Sequence, residues 1–498
     1  MTLPYITLEQ ASNLQGCVLA YGHFTTIHPG HIRYLRHARS LGSTFVVALI
    51  GDFTSDSQSP YMFSQLERSE ALNMLGIADK IVLLKSDELG SAISVIRPSI
   101  LVLGTELQGV SALEQPLSLL REQGGTVQFH AGDVHYANAD LLTNSERDLK
   151  RQRLLQFRLS CQRQGLALKD LLDSMKAWSD TRLIVLGDTI VDQYAACEAI
   201  GMSAEAPVVV VRELANRNFI GAAAVVAAHI RALGAQVDLL SVVGNDSTAD
   251  LVNQELSSQG IGNELIRDPS RPTTFKKRYV VENQKLFRVS RLEQHNLDQP
   301  IEDQLIERLE KLAPFVNGIV ISDFVYGVVT PRVLEIVQSL ARRYKLLLFG
   351  DLQCSSQVGS ITRFQNFSLL CPNERELRLA LQDKDTGIES LSQGLLKSTN
   401  CERLIVKLAA DGFIVYDRDT NDRFITQAFP ALSVNPLDVA GAGDSVLAVM
   451  ATGISSGQRM MPTAALACCM AALAVETMGN TPISSTVLSD SLKEVLSS

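Results

Sequence analysis

Two stretches of strand–helix alternation, separated by a segment without strand signals, constrain this chain more than any other feature. From Gly16 to about Asn144, short β-branched runs (CVLAY, TFVVALIGD, KIVLL, SILVLG, TVQFH) alternate with helical stretches such as PGHIRYLRHARSLG and SQLERSEALNMLG. Strict alternation predicts a parallel sheet with helices covering its faces. A second alternation starts at LIVLGD and runs through VDLLSVVG, GIVISDF, KLLLFGD, RLIVKLA and FIVYD, with an apolar helix predicted from Pro462 to Thr477. One insertion departs from it. TTFKKRYVVENQKLFRVSRLE alternates Val and Phe with charges, which predicts an antiparallel hairpin forming a small β lid. The expected class is α/β, with a Rossmann-like domain over residues 1–144 and a larger α/β domain over residues 180–498. The Arg-, Gln- and Leu-rich stretch over residues 145–179 is expected to be a helical linker, either a docking helix or a solvated connector with one buried stripe. Each half is expected to fold when expressed apart, as residues 1–145 and residues 176–498.

Composition narrows the classes of partner. The 498 residues carry a net charge of −9 with no long Lys/Arg run, which argues against nucleic acid or an anionic membrane as the main partner. Hydrophobic residues make up 46% and charged residues 20%, enough for well-filled cores and too apolar for intrinsic disorder. The start, MTLPYITLEQ, has no signal-peptide pattern, and the eight cysteines form no C-x-x-C pair. A cytoplasmic protein with small-molecule substrates is expected.

In AYGHFTTIHPGHIRYL, His28 and His31 flank Pro29-Gly30 where a strand turns into a helix. Pro suits a first helical turn, and Gly30 allows close approach of a ligand. Imidazoles at the positive end of a helix can stabilise charge on a nucleotide's α-phosphate under attack. A helix-capping pair and an incomplete metal site are the alternatives. In NPLDVAGAGDSVLAVMATG, Gly441-Ala442-Gly443 leaves backbone N–H groups uncovered at a helix start, an anion hole for a phosphoryl group in transfer. Asp444 follows at once, placed to take a proton from an attacking hydroxyl.

These residues carry two resemblances. Residues 16 to about 140 resemble the cytidylyltransferase-like nucleotidyltransferases, whose H-x-G-H signature is met by His28, Gly30 and His31, with Gly22-His23-Phe24 as the glycine–aromatic approach and Glu67-Arg68 as the usual pair. The resemblance implies attack of a sugar or alcohol phosphate on the α-phosphate of ATP, with Gly22, Phe24 and Gly30 at the nucleotide. Thr25, Leu103 and the segment YANADLLTN depart from the family's Asp, Lys and Ser/Thr-rich signature.

Residues 180–490 resemble the ribokinase-type (PfkB) carbohydrate kinases. That likeness implies Asp444 as general base and Gly441, Ala442 and Gly443 as anion hole. It puts Asn373, Glu374, Arg375, Glu376 and Gly412 at ATP, with Asn373 and Glu376 organising Mg²⁺ through water. Taken singly, Asn373 and Glu376 read equally well as a helix cap. Asp188 and Asp192 are implied as acceptors of sugar hydroxyls. SAEAPVVVV, FKKRYVVENQKLFRV and ISDFVYG look like the heptose 7-phosphate kinase branch, in which Lys276, Arg278 and Arg288 would hold the substrate's phosphate; lid-face solubility is the other reading of these three. That branch is usually fused to a nucleotidyltransferase, and here the order is reversed. Ala224, Tyr326 and Gln353 depart from its Asn and two Lys positions. The expectation is a bifunctional, homo-oligomeric enzyme using ATP and Mg²⁺. The alternatives are a kinase for another sugar with a degenerate nucleotidyltransferase half, and a nucleotide-binding pseudoenzyme that regulates a partner.

Overall fold

The computed structural model describes residues 5–24, 27, 29–52, 63–85, 88–104, 113–130, 146–282, 284–353, 359–383, 386–418 and 424–497. Among them, strands build three sheets, and the chain divides into two compact units. Unit 1 comprises Met1–Arg151 with Asp383–Gly394 and Thr426–Ala428; unit 2 comprises Gln152–Gln382, Leu395–Ile425 and Phe429–Ser498.

In unit 1 the elements run β1 (Tyr5–Thr7), β2 (Val18–Gly22), α1 (Pro29–Ser40), β3 (Phe45–Leu49), α2 (Gln65–Met74), β4 (Lys80–Leu83), α3 (Leu89–Ile96), β5 (Ile100–Gly104), α4 (Glu114–Glu122) and β6 (Thr126–His130). The strands pair in parallel in the order β1-β4-β3-β2-β5-β6. β3, FVVAL, is buried at every position, as a central strand covered on both faces must be. The order reverses between β2 and β5, and such a switch point opens a crevice beyond the carboxyl ends of the strands. The predicted elements are all present; β1 is an addition, three residues on the free edge of β4.

Unit 2 opens with α5 (Glu146–Arg163), whose first residues fall in unit 1, and α6 (Leu168–Met175). There follow β7 (Arg182–Gly187), β8 (Thr189–Met202), β9 (Val209–Ala222), α7 (Ala223–Ala232), β10 (Gln236–Val243), α8 (Ser247–Ser258), β11 (Gly262–Arg267), β12 (Thr274–Val281), β13 (Gln284–Arg291), α9 (Gln299–Leu312), β14 (Gly318–Asp323), α10 (Pro331–Tyr344) and β15 (Leu347–Leu352). The remainder is β16 (Leu369–Leu370), α11 (Glu374–Leu381), α12 (Ile388–Thr399, its residues up to Gly394 in unit 1), β17 (Arg403–Lys407), β18 (Phe413–Arg418), β19 (Phe424–Phe429, with Thr426–Ala428 in unit 1), α13 (Ala442–Ser455), α14 (Met460–Ala474) and α15 (Ser485–Ser497). A nine-stranded sheet has the order β11-β10-β7-β14-β15-β16-β17-β18-β19, parallel as far as β17 with β18 antiparallel to it. Helices α13 and α14 are apolar on nearly every side, so they fit only inside the core.

The lid hairpin forms as predicted, β12 antiparallel to β13, but it belongs to a larger second sheet of order β13-β12-β8-β9. β8 and β9 are 14 residues each, and sequence reading passed over them because their outer halves mix charges with Val and Ala in place of a clean alternation.

Residues 145–179 form the expected helices, and their buried stripe belongs to unit 2. Phe157, Cys161, Leu171, Met175 and Trp178 are buried in the unit 2 core, and Phe157 packs its ring 6.2 Å from that of Phe429. Arg158 Nε also donates to Val495 O at 2.7 Å. A cut at residue 176 would remove four of these core side chains from unit 2.

Candidate active sites

In unit 1, β2 ends at Gly22 and the chain passes Phe24, whose φ of 46° lies in the left-handed region, before entering α1. A Cβ at Gly22 would stand 3.1 Å from the Phe24 ring, so any larger residue there would press on that ring. Phe24 meets the His31 imidazole edge-on, with centroids 5.4 Å apart. His31 and Gly30 lie in the first turn of α1, at its positive end. Tyr34 Oη donates to Val102 O at 2.6 Å and fixes α1 to β5 across the switch point. His28, Thr25 and YANADLLTN lie outside the described residues.

The pair Glu67-Arg68 acts structurally. Glu67 completes a capping box with Ser64 at the start of α2. Arg68, 1% exposed, donates to His23 O, to Ile50 O at 2.9 Å and to Asp52 Oδ1 at 2.7 Å. It therefore holds the exits of β2 and β3 that frame the crevice. Leu103 is a core residue of β5.

In unit 2, Gly441 is the N-cap of α13 at φ 82°, where a Cβ would lie 2.0 Å from Asn480 Oδ1. Only glycine fits. The first N–H groups of α13, from Ala442 and Gly443 onward, have no intrahelical partner, the condition an anion hole requires. Asp444, 4% exposed, is the third residue of the helix. Burial, then the nearby Asp351 carboxylate, push its pKa up to about 7, the opposing pull coming from Lys407. Gln353 Nε2 donates to Asp444 Oδ1 at 2.9 Å.

Lys407 was not anticipated from sequence. It ends β17 and donates to both oxygens of Asp351, at 2.9 and 2.8 Å, and its Nζ lies 3.1 Å from where a Gly443 side chain would start. Burial works against its charge, but Asp351 and Glu376 outweigh that and raise its pKa. The signal available was position: Lys407 directly precedes L-A-A-D-G, the turn of Gly412.

Gly441, Asp444, Lys407, Gly412, Asn373 and Glu376 share the lining of one cavity of about 500 Å³ with apolar side chains (Phe413, Leu432, Val434, Val475). Arg153, from α5, also reaches this cavity and donates to Ser433 O. A lining that combines helix-start N–H groups and a lysine with apolar side chains suits a nucleotide. Asn373 and Glu376 do cap α11: Asn373 Oδ1 accepts from Glu376 N, and Glu376 Oε2 from Asn373 N, both at 2.8 Å. They cap and line the cavity at once. Glu374 pairs with Arg378, and Arg375 is exposed; neither lines the cavity.

A second group of polar residues gathers at the carboxyl ends of β7 and β14. Asp188 Oδ2 accepts from Phe324 N at 2.8 Å and Tyr326 N at 3.3 Å, while Asp188 Oδ1, Tyr326 Oη and Ser322 Oγ are buried without partners. Burial and then Asp323 push the Asp188 pKa up to about 7. Asp192 pairs with Arg278 and is close enough to Asp444 to help raise its pKa. Lys276, buried, stands 5.2 Å from the Phe324 ring centre and 5.3 Å from that of Tyr326. Arg288 lies opposite Arg278 in the β12–β13 register but is exposed. The lid and the anion-hole loop meet at Asp438, which accepts from Tyr194 Oη at 2.5 Å, Lys285 Nζ at 2.7 Å and Ala440 N at 3.0 Å.

Uncovered N–H groups at a helix start beside a buried carboxylate, a cavity of about 500 Å³ and a polar recess at the strand ends suit a phosphotransferase of the sugar-kinase type. Comparison with known proteins agrees. The pfkB family carbohydrate kinase pattern matches residues 180–486, more than half of the chain, and the cytidylyltransferase-like pattern matches residues 19–123. The chain belongs to the pfkB carbohydrate kinase family and carries a cytidylyltransferase-like domain in addition. Among curated proteins, "Bifunctional protein HldE" of Helicobacter hepaticus is 31% identical over 60% of this chain and 61% of its own length. The protein of that name from a Bradyrhizobium species is 30% identical over 64% of this chain and 65% of its own. The matched region thus spans about three fifths of these relatives. Phosphofructokinase-2 from Escherichia coli, crystallised with substrates and products, has the same fold over 64% of this chain and 98% of its own, with a TM-score of 0.53 and 15% identity. Among the described residues, no helix is long and apolar enough to cross a membrane.

Proposed function

We propose that this chain is a bifunctional sugar-activating enzyme: unit 2 phosphorylates a heptose 7-phosphate at its anomeric hydroxyl, and unit 1 transfers AMP from ATP to a sugar 1-phosphate. Asp444 carries the kinase reading. A buried carboxylate with its pKa near 7, on the third residue of a helix, can take a hydroxyl proton while the helix stabilises the phosphoryl group in transfer. The unpaired Asp188 Oδ1, Tyr326 Oη and Ser322 Oγ support a substrate rich in hydroxyl groups, since buried polar atoms are seldom left without partners. Lys276 and Arg278 are the cations placed for its phosphate.

Among the described residues, no cluster of three His, Cys, Asp or Glu side chains could hold a metal directly. The oxygen donors Asn373 and Glu376 on the cavity wall therefore fit a hydrated Mg²⁺ arriving with ATP, and when bound it would offset phosphate charge. In unit 1, His31 at the head of α1 supports α-phosphate binding. We also infer a cytoplasmic homo-oligomer. Ile200, Met202, Val209, Leu214, Phe287 and Val289 are exposed on the lid sheet, and an apolar surface of that kind favours association with a second copy.

The test is incubation with ATP, Mg²⁺ and a panel of sugar phosphates, measuring ADP and pyrophosphate separately. ADP formed fastest with a heptose 7-phosphate supports the kinase assignment; a preference for another sugar overturns the substrate. Absence of pyrophosphate with every sugar 1-phosphate supplied would reduce unit 1 to a non-catalytic domain.

A further inference from the structure

Among the described residues, no Lys or Arg forms an ion pair with Asp444, the proposed general base. Lys407 is committed to both oxygens of Asp351, and the neutral Gln353 occupies the place beside Asp444. The charged groups acting on Asp444 are Asp351 from β15, Lys407 from β17 and Asp192 from β8. Of the elements packed on α13, β14 ends in Asp323, whose pKa burial raises against the pull of Arg363. Helices α7 and α14 add apolar side chains and groups that stay neutral: His229, which burial lowers to about 4, and the thiols of Cys468 and Cys469, which burial raises.

We propose that Gln353 is the positioning residue of Asp444: its Nε2–H donates to Oδ1, fixes the plane of the carboxyl group, and leaves Oδ2 for the proton of the substrate hydroxyl. The amide holds the geometry without supplying charge, so the base is half-protonated near neutrality. A weakly acidic base is a better proton acceptor, and one with a midpoint near the working pH combines acceptor strength with availability. The sign follows directly. A carboxyl group with a raised pKa is protonated below it, so kinase activity in this chain rises with pH through about 7 and falls on the acid side. The proposal rests on the kinase reading of unit 2.

Two measurements on the full-length protein separate it from that reading. The first follows the carboxyl ¹³C resonance of Asp444 in aspartate-labelled protein through pH, with Asp444→Asn identifying the peak. The second follows kcat/KM for ADP formation through pH. In Gln353→Lys, an ammonium beside Asp444 should lower both midpoints together by about one to three pH units. A one-unit fall raises the fraction of base form at pH 6 about fivefold. In Gln353→Leu, loss of the donor should raise the midpoint and lower kcat more than it changes KM. An unmoved Asp444 resonance in Gln353→Lys overturns the proposal, and leaves the kinase reading intact if ADP still forms. A resonance that moves while wild type makes no ADP with any sugar phosphate sustains the hold of Gln353 on Asp444 and removes the kinase reading.

Discussion

The sites of the two units use helix N-termini in different ways. In unit 1 the helix α1 brings imidazole to its own positive end, and the supporting cation, Arg68, is wholly spent on carbonyls and Asp52. In unit 2 the helix α13 brings a carboxylate to its positive end, and a lysine from another strand stands behind the glycine loop. The first arrangement can offer positive charge to a phosphate but has no described base. The second can both hold a phosphoryl group and accept a proton. On the proposed reading, this difference suits adenylyl transfer, in which the attacking phosphate is already ionised, to unit 1, and phosphorylation of a hydroxyl to unit 2.

The largest expected effect tests that assignment in unit 2. Asp444→Asn should lower ADP formation about 10²- to 10⁴-fold, with ATP binding and pyrophosphate formation unchanged. Near-normal ADP formation would take Asp444 out of the mechanism. For unit 1, His31→Ala should lower pyrophosphate formation about 10²- to 10³-fold, the scale of losing one charge-stabilising donor, and leave ADP formation alone. A loss of both activities would break the comparison, because the two sites would no longer be chemically separate.

Phe157→Ala sharpens where unit 2 begins. A buried phenylalanine truncated in a core costs about 3–5 kcal/mol, so the unfolding transition that abolishes ADP formation should move to lower denaturant. The transition that abolishes pyrophosphate formation should stay in place. If neither moves, the helix α5 is the connector that its composition suggested. The smallest effect is expected at the lid. Lys285 is 40% exposed at its side chain, so Lys285→Met should change sugar KM severalfold at most, with kcat nearly constant. A large fall in kcat would mean that Asp438 carries lid position into the anion hole.

How legible each part was follows from how local its cause is. Gly441 through Asp444 could be read because a helix start, its glycines and its carboxylate are contiguous. Asn373 and Glu376 were legible as a cap and as cavity wall together, since the spacing that closes a capping box also turns both side chains to one side of a helix start. Lys407 was not legible: its role depends on Asp351 and Gly443, which only the sheet order brings beside it. The same holds for Gln353, visible in sequence merely as a missing lysine. A buried stripe on helix α5 was legible but its residues were not: Phe157 and Cys161, one turn apart, face the core while Leu155 and Leu159 are exposed, and composition cannot tell which residues of a short stripe turn inward. Glu374 and Arg375 were drawn in by their neighbours, although successive helical residues point in different directions.

The central claim is that one chain carries two chemically independent transfer sites. Wild type, Asp444→Asn and His31→Ala assayed side by side, for ADP with a heptose 7-phosphate and for pyrophosphate with a heptose 1-phosphate, test it most directly. The account predicts that each variant loses one product and keeps the other. Loss of both products in either variant, or of neither, would contradict it.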